Sequence, residues 1–185
     1  MTKVALMLAD GFEEIEALTV VDVLRRAQIT CDMVGFTDTV TGSHGITVQA
    51  DQVFTGSLSG YDAVILPGGM PGAANLRDSE SLMAELRRFQ AEDQHIAAIC
   101  AAPIALANAG VLKGKKFTCY DGIQEQISDG SYQKETVVVD GKLITSRGPA
   151  TALAFSYALV EQLGGNAESL RQAMLYTDVF GTEEK

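Results

Sequence analysis

The sequence is poor in the residues that hold metals, disulfides and nucleotide cofactors. Its 185 residues include two histidines, His44 and His95, and three cysteines, Cys31, Cys100 and Cys119, with no CxxC pair. An odd number of cysteines without that spacing argues against a disulfide framework, and two histidines do not support a structural zinc site. Neither GxGxxG nor GxxxxGK[ST] occurs. We therefore expect no metal site and no cofactor.

Positive charge and long apolar runs are also scarce. Lysine and arginine total 14 against 24 acidic residues, and the formal net charge of -10 would repel a nucleic-acid backbone. No apolar run is long enough to span a bilayer. The opening MTKVALMLADGFEE turns acidic without a signal-peptide cleavage site. We expect a cytoplasmic protein that has neither nucleic acid nor a membrane as its partner.

The residues that are present suit an ordinary globular protein. Hydrophobic residues make up 46% of the chain and charged residues 21%. The length predicts one domain over residues 1–185, with a core large enough to fold without disulfides.

Short apolar runs alternate with segments of helical periodicity along the whole chain. We predict strands at residues 4–9, 30–36, 63–67, 95–100, 115–120, 135–141 and 142–146, and a hairpin within 38–54. Helices are predicted at residues 12–27, 79–91, 103–110, 150–163 and 167–176. This alternation is typical of a mainly parallel sheet covered on both faces, an α/β fold with three layers, α/β/α.

Four strand ends carry polar or glycine-rich segments, at residues 10–16, 67–72, 100–103 and 146–149. In folds of this class, ligands bind where loops leave the C-terminal ends of parallel strands. The four segments are therefore expected to meet at one functional site.

Cys100 is the candidate nucleophile in that group. It would end a buried strand, with Pro103 in the first turn of the next helix. Free amides and the positive end of the helix dipole favour a thiolate, which is both a nucleophile and a target of oxidation. On local grounds alone, a packed core cysteine remains the alternative.

Glu16 is the candidate proton carrier. On a helix it shares a face with apolar residues at offsets of four, seven and eleven. That setting predicts a partly buried carboxyl group with a raised pKa, which could hold a proton for a bound substrate. For Glu13 and Glu14, an interaction with the helix N-terminus is the favoured interpretation.

The glycine pair Gly68–Gly69 follows an apolar strand. Glycine lets the backbone approach a ligand closely and could aim amide groups at an oxyanion. Strand-end glycines also occur for conformational reasons alone, and that alternative stays open at this point.

Four segments, in order and spread over nearly the whole chain, resemble the motifs of the ThiJ/PfpI superfamily. They are VALMLADGFEEIEALTVVDVLRRA, AVILPGGMPGAANL, AAICAAPIAL and KLITSRGPATALAF. Within the superfamily they are most similar to the branch of the Parkinsonism-associated protein deglycase. The resemblance implies a flavodoxin-like sandwich, a homodimer, and a reactive cysteine at a nucleophile elbow beside a protonated glutamate.

The resemblance also implies roles for residues of this chain. Cys100 would be the nucleophile and Glu16 its proton-carrying neighbour. The residues implied for the oxyanion and substrate pocket are Gly68, Gly69, Ala101, Tyr120, Arg147, Gly148 and Pro149.

The activities implied are a glyoxalase reaction without glutathione, removal of early glyoxal adducts from proteins, and redox sensing or chaperoning under oxidative stress. In the first two, Cys100 would add to the aldehyde of methylglyoxal and Glu16 would move a proton between adjacent carbons. Thioester hydrolysis would release lactate. Small 2-oxoaldehydes or glycated proteins are the expected partners, and redox sensing through Cys100 is the alternative.

Some positions depart from the family's pattern. Ala101 stands where protease-like members carry a histidine, so a local Cys-His peptidase triad is not available. Tyr120 stands where the deglycase branch often has a histidine, and a phenol with a pKa of about 10 is a poor base near neutrality. Ala102 replaces a common glycine. His44 replaces an arginine, either altering a pocket or dimer contact or lying exposed in a loop.

Overall fold

A seven-stranded sheet flanked by helices organises the chain in the computed structural model, which describes residues 2–181. The strand order is β10-β11-β7-β6-β1-β2-β5, and only the β10–β11 pair is antiparallel. The strands are β1 (Lys3–Leu8), β2 (Thr30–Gly35), β3 (Thr39–Thr41), β4 (Thr47–Gln49), β5 (Gln52–Val53), β6 (Ala63–Leu66), β7 (His95–Ile99), β8 (Lys116–Phe117), β9 (Ser131–Tyr132), β10 (Val137–Asp140) and β11 (Leu143–Ser146).

Helices cover both faces of the sheet. They are α1 (Glu14–Arg26), α2 (Gly72–Arg77), α3 (Glu80–Ala91), α4 (Pro103–Ala109), α5 (Ala152–Gln162), α6 (Ala167–Ala173) and α7 (Tyr176–Phe180). Short 3-10 helices occupy Ile123–Gln126 and Pro149–Thr151. None of the helices within residues 2–181 combines the length and the apolar character needed to cross a bilayer.

Alternation along β1 shows how the core is divided into two apolar layers. Val4, Leu6 and Leu8 pack with α1 and α5 on one face, while Ala5 and Met7 pack with α2, α3 and α4 on the other. Successive side chains of a strand point to opposite faces, so a fully apolar strand needs cover on both. The predicted flavodoxin-like α/β/α sandwich with a mainly parallel sheet is confirmed.

Several predicted boundaries need correction. The predicted hairpin is the β3–β4 ribbon, but β5 leaves it and pairs with β2 at the edge of the main sheet. The strand predicted at residues 115–120 ends at Phe117. The helix predicted at 167–176 breaks at Leu175, whose φ of 59° is left-handed, so that α7 is a separate element.

Helix α2 was not predicted, because the surrounding PGGMPGAAN is rich in glycine and proline and is typical of a loop. Tertiary packing overrides that local preference, since Ala73 and Leu76 are fully buried against the sheet.

Candidate active site

The four polar segments meet at one edge of the sheet. Strands β11, β7, β6 and β1 are adjacent and parallel, so their C-terminal ends lie side by side. These strands end at Ser146, Ile99, Leu66 and Leu8. The expected convergence is therefore observed.

Cys100 occupies a tight turn between β7 and α4. Its φ is 64°, a left-handed conformation that costs a residue with a Cβ about 1 kcal/mol or more. Its amide donates to the Ser146 carbonyl at 3.0 Å, and its own carbonyl accepts from the Tyr120 amide at 2.9 Å. Pro103 then begins α4, where a missing amide hydrogen has little effect. Hydrogen bonds to two other segments therefore hold the turn, and the residue is 9% exposed.

Glu16 is completely buried in the first turn of α1. The Gly68 amide donates to its Oε2 at 2.8 Å. Among the described residues its Oε1 has no hydrogen-bond partner, and the neighbouring Cys100 thiol acts on the carboxyl group in the direction that lowers its pKa. Burial raises the pKa of Glu16 to about 7, more than the bonds from the thiol and the Gly68 amide lower it. The predicted raised pKa thus has desolvation as its cause.

Gly68 is the point at which the nucleophile and the acid meet. A Cβ built on Gly68 would lie 2.6 Å from the Cβ of Cys100 and 2.7 Å from Oε2 of Glu16. It would also lie 3.0 Å from the Ala101 nitrogen. No side chain fits there, so the glycine is required by the close approach of these groups.

The expected lowering of the Cys100 pKa by amides and helix dipole is wrong for this arrangement. Burial raises the pKa of the thiol, and the charge and hydrogen bond of Glu16 raise it further. Amides of Gly69 and Ala101 bond to the sulfur and act in the opposite direction, but they do not outweigh these effects. The Cys100 thiol and the Glu16 carboxyl group are neighbouring acids that compete for one proton. When Glu16 is protonated, its charge no longer repels a thiolate at Cys100.

The remaining predicted pocket residues lie beside the Cys100 turn. Tyr120, Arg147, Gly148 and Pro149 line a groove with a volume of about 240 Å3. The Tyr120 side chain is half exposed, and its ring lies over Gly148, where an added Cβ would be 3.3 Å from ring carbon Cδ2. Asp121 accepts a short hydrogen bond from the Arg147 guanidinium. Nothing in the sequence pattern singled out Asp121, because its partner lies in another strand-end segment.

Glu13 and Glu14 have structural partners as well as the helix dipole. Glu13 Oε2 accepts from the Glu16 amide at 2.8 Å and thereby caps α1. Glu14 is buried and accepts from the His44 amide at 2.7 Å and from its Nδ1 at 2.9 Å. His44 is exposed, yet it is bound to α1, a role that neither sequence interpretation included.

Cys31 and Cys119 are buried apart from this chemistry. Burial raises the pKa of Cys31 to about 12 and that of Cys119 to about 11. Cys119 is fully buried while the following Tyr120 is half exposed. The alternation expected of a strand does not apply to this pair, because the strand ends at Phe117.

Comparison with known proteins gives consistent matches. The model of the DJ-1/PfpI family matches residues 2–162. DJ-1 homolog B of Arabidopsis thaliana is 37% identical over 168 residues, which is 89% of this chain but 38% of that protein. A deglycase of Pyrococcus horikoshii is 32% identical over 165 residues, 87% of this chain and 99% of that one.

Solved structures agree with the sequence matches. The oxidized DJ-1 of Toxoplasma gondii superposes with a TM-score of 0.90 and 35% identity, covering 95% of this chain and 98% of that one. The chain spans about two fifths of the length of the Arabidopsis relatives it matches.

Proposed function

The chain belongs to the DJ-1/PfpI family, and on that premise we propose that it is a cysteine-dependent, glutathione-independent glyoxalase or protein deglycase. Its substrates would be methylglyoxal-type 2-oxoaldehydes or their adducts on proteins. The observation that carries the proposal is the meeting of the Cys100 thiol and the buried Glu16 carboxyl at Gly68. A relative named as a deglycase supports the same reaction class.

In the proposed reaction, the reactive form of the pair has its proton on Glu16 and a thiolate at Cys100. A pKa of about 7 lets Glu16 hold a proton near neutrality and release it without a large free-energy change. The amides of Gly69 and Ala101, which bond to the sulfur, would stabilise the thiolate. Gly69 has a φ of 86°, a left-handed conformation suited to glycine.

The proposed reaction consists of an addition, a proton transfer and a hydrolysis. The Cys100 sulfur adds to the aldehyde carbon, C1, of methylglyoxal, and Glu16 gives its proton to the oxygen, which yields a hemithioacetal. The Glu16 carboxylate then removes the C1 proton and returns it to C2, while the hydroxyl proton moves from the first oxygen to the second. The product is a lactoyl thioester. Water attacks its carbonyl carbon, the C–S bond breaks, and lactate leaves with the thiol restored.

The direct test is lactate formation from methylglyoxal by purified protein and variants. We expect Cys100→Ala to abolish activity, while Cys31→Ala, a matched change of a buried cysteine on β2, retains it. Glu16→Gln keeps an acceptor for the Gly68 amide but cannot carry a proton, so turnover should fall by about 100-fold or more. Lactate formation by Cys100→Ala at the wild-type rate would refute the proposal.

A second readout separates nucleophilicity from proton transfer. Alkylation of Cys100 by iodoacetamide should persist in Glu16→Gln, because that change removes the charge that raises the thiol pKa. If alkylation and turnover are lost together, Glu16 holds the cysteine in place instead of carrying a proton.

Redox sensing through Cys100 is the second candidate, favoured by the amides around the thiol of a residue that is 9% exposed. The thiolate would reduce one hydrogen peroxide to form a sulfenate and a second to form a sulfinate, releasing a water each time. Graded peroxide and intact-mass measurement test it. A sensor gains two oxygens at Cys100 at low dose, and equal oxidation of Cys100 and the methionines excludes the role.

We also propose a homodimer that uses the surface beside α1 and the β3–β4 ribbon. Ile15 is 55% exposed and Ile46 is 52% exposed, and the Ile46 amide donates to Glu14, the neighbour of Ile15. Exposed isoleucines on two elements that are hydrogen-bonded to each other favour burial against a second copy. Sedimentation equilibrium should give a dimer for the wild type and a monomer for Ile15→Lys with Ile46→Lys. A wild-type monomer would exclude the dimer.

Cytoplasmic location and a single domain over residues 1–185 remain part of the proposal. The net charge of -10 supports partners other than nucleic acid. Limited proteolysis that yields two stable fragments would contradict the single domain, and fractionation of cells tests the location.

A further inference from the structure

The groove beside the Cys100 turn is larger than the methyl group of methylglyoxal would fill. Its volume is about 240 Å3. One wall is apolar, made by Tyr120, Pro149 and Ala150, and the Gly148 backbone lies close to one edge of the Tyr120 ring. Since the Tyr120 amide donates to the Cys100 carbonyl at 2.9 Å, the wall is joined directly to the turn that carries the nucleophile.

One edge of the Tyr120 ring lies close to Gly148, where a Cβ would lie 3.3 Å from Cδ2 and 3.7 Å from Cε2. The residue is nevertheless 53% exposed, so much of its surface remains in contact with solvent, while its amide is bonded to the Cys100 carbonyl. Aromatic surfaces of this kind are favourable for stacking with a planar group.

Charged side chains also border the groove. Arg147 and Asp121 line it and are hydrogen-bonded to each other, and Lys134, outside the lining, lies 3.6 Å from the same carboxylate. Two cations therefore surround one anion, and this part of the groove repels a positive substituent. A neutral or anionic group is accepted more readily than the cationic side chain of arginine or lysine.

We propose that Tyr120 determines substrate specificity, and that the groove selects 2-oxoaldehydes with a planar, aromatic, uncharged or anionic substituent over methylglyoxal. The inference rests on the proposed reaction at Cys100. The aldehyde carbon bonds to the Cys100 sulfur, and the substituent stacks on the Tyr120 ring. The bonds formed and broken are those of the proposed reaction, and an aryl 2-oxoaldehyde yields the corresponding aryl 2-hydroxy acid.

The kinetic test compares phenylglyoxal, which gives mandelate, with methylglyoxal, which gives lactate. The ratio of the two kcat/KM values should fall about 2- to 10-fold in Tyr120→Ala and should be retained in Tyr120→Phe, which keeps the ring. Gly148→Ala leaves Tyr120 in place but crowds its ring, and should lower the ratio by a smaller factor. Initial rates are corrected with Cys100→Ser, because phenylglyoxal also reacts with arginine. An unchanged ratio in Tyr120→Ala overturns the inference.

A binding measurement keeps this inference separate from the proposed reaction. Calorimetric titration of mandelate and lactate into Cys100→Ser, with and without Tyr120→Ala, requires no turnover. Mandelate should lose more affinity than lactate when the ring is removed. If neither aldehyde is turned over but mandelate shows this loss, the reaction fails and the groove specificity stands. If both acids lose affinity equally, or mandelate does not bind, the groove specificity is wrong.

Discussion

Glu16 has two properties that the proposed reaction requires: it is completely buried, and it adjoins the Cys100 thiol. Burial penalises its ionised form, and the Gly68 amide offsets only part of that penalty. The same burial makes stability fall as pH rises from about 4.5 to 7, because over that range the folded chain retains a proton that the unfolded chain has lost.

A first prediction concerns stability against pH. The pKa of Glu16 is raised from 4.5 to about 7 by burial, so wild-type stability is fully present below about pH 4.5 and is lost as pH rises through 7. Glu16→Gln does not titrate. The difference in unfolding free energy between variant and wild type should grow, by up to about 3 kcal/mol, from pH 4.5 to 8. Urea unfolding of both proteins at each pH measures it, and a constant difference would contradict the raised pKa.

A second prediction concerns Gly68. In Gly68→Ala the new methyl would overlap Cys100 and Glu16, so lactate formation should fall about 100-fold and stability by about 1–3 kcal/mol. Gly60→Ala is the control. Gly60 has a φ of 89° and nothing within 4 Å, so that variant should lose stability and keep activity. Full activity in Gly68→Ala would show that the close approach has no catalytic role.

At the scale of elements, the junction between α1 and the β3–β4 ribbon depends on one side chain. Glu14 is 4% exposed, and the ribbon loop supplies its hydrogen bonds through His44 and Ile46. Burial raises the pKa of Glu14, but these bonds together outweigh it and lower the pKa below 4.5. Its contribution to stability is therefore present above about pH 4.5 and is lost as pH falls.

A third prediction follows for Glu14→Gln. The substitution removes the charge that the His44 amide and ring bind, so the ribbon should open more often and stability should fall by about 1–3 kcal/mol. Hydrogen exchange of peptides covering residues 42–49 should accelerate, while α5 peptides serve as the internal reference. Equal exchange in variant and wild type would mean that other contacts hold the ribbon.

At the scale of the whole molecule, stability should decrease from the centre of the sheet to its edges. Strand β1 pairs on both sides and nearly all of its side chains are buried, whereas β5 and β10 pair on one side only. Because β1 is covered on both faces and paired on both edges, we expect it to open only when the whole molecule unfolds.

The fourth prediction is therefore an order of hydrogen exchange. Amides of β1, β6 and β7 should exchange slowest, and those of β5 and β10 should exchange faster by at least about 10-fold. Mass spectrometry of peptides from the intact protein measures the order. Exchange of β10 as slow as that of β1 would show that the edge is covered, for example by a second copy.

Features that depend on neighbours along the chain could be predicted from the amino-acid sequence. Apolar runs predicted β1, β6 and β7, Pro103 marked the start of α4, and the strand-end segments predicted where a site would form. The hydrophobic period of a strand or helix and the residues that cap a helix depend only on neighbours in the sequence, so the sequence pattern reveals them. Helix α2 and the break at Leu175 were missed, because tertiary contacts overrode the local preference there.

Which groups meet at the site, and how they ionise, depends on the folding of distant segments onto one another. Glu16 and Gly68 are 52 residues apart, yet a hydrogen bond of 2.8 Å joins them. The left-handed turn at Cys100 is held by a hydrogen bond donated to Ser146 and one accepted from Tyr120, which no local pattern contains. Desolvation and charge act through space, so the raised pKa of Cys100 and the Asp121 partner of Arg147 follow from the folded arrangement of distant segments.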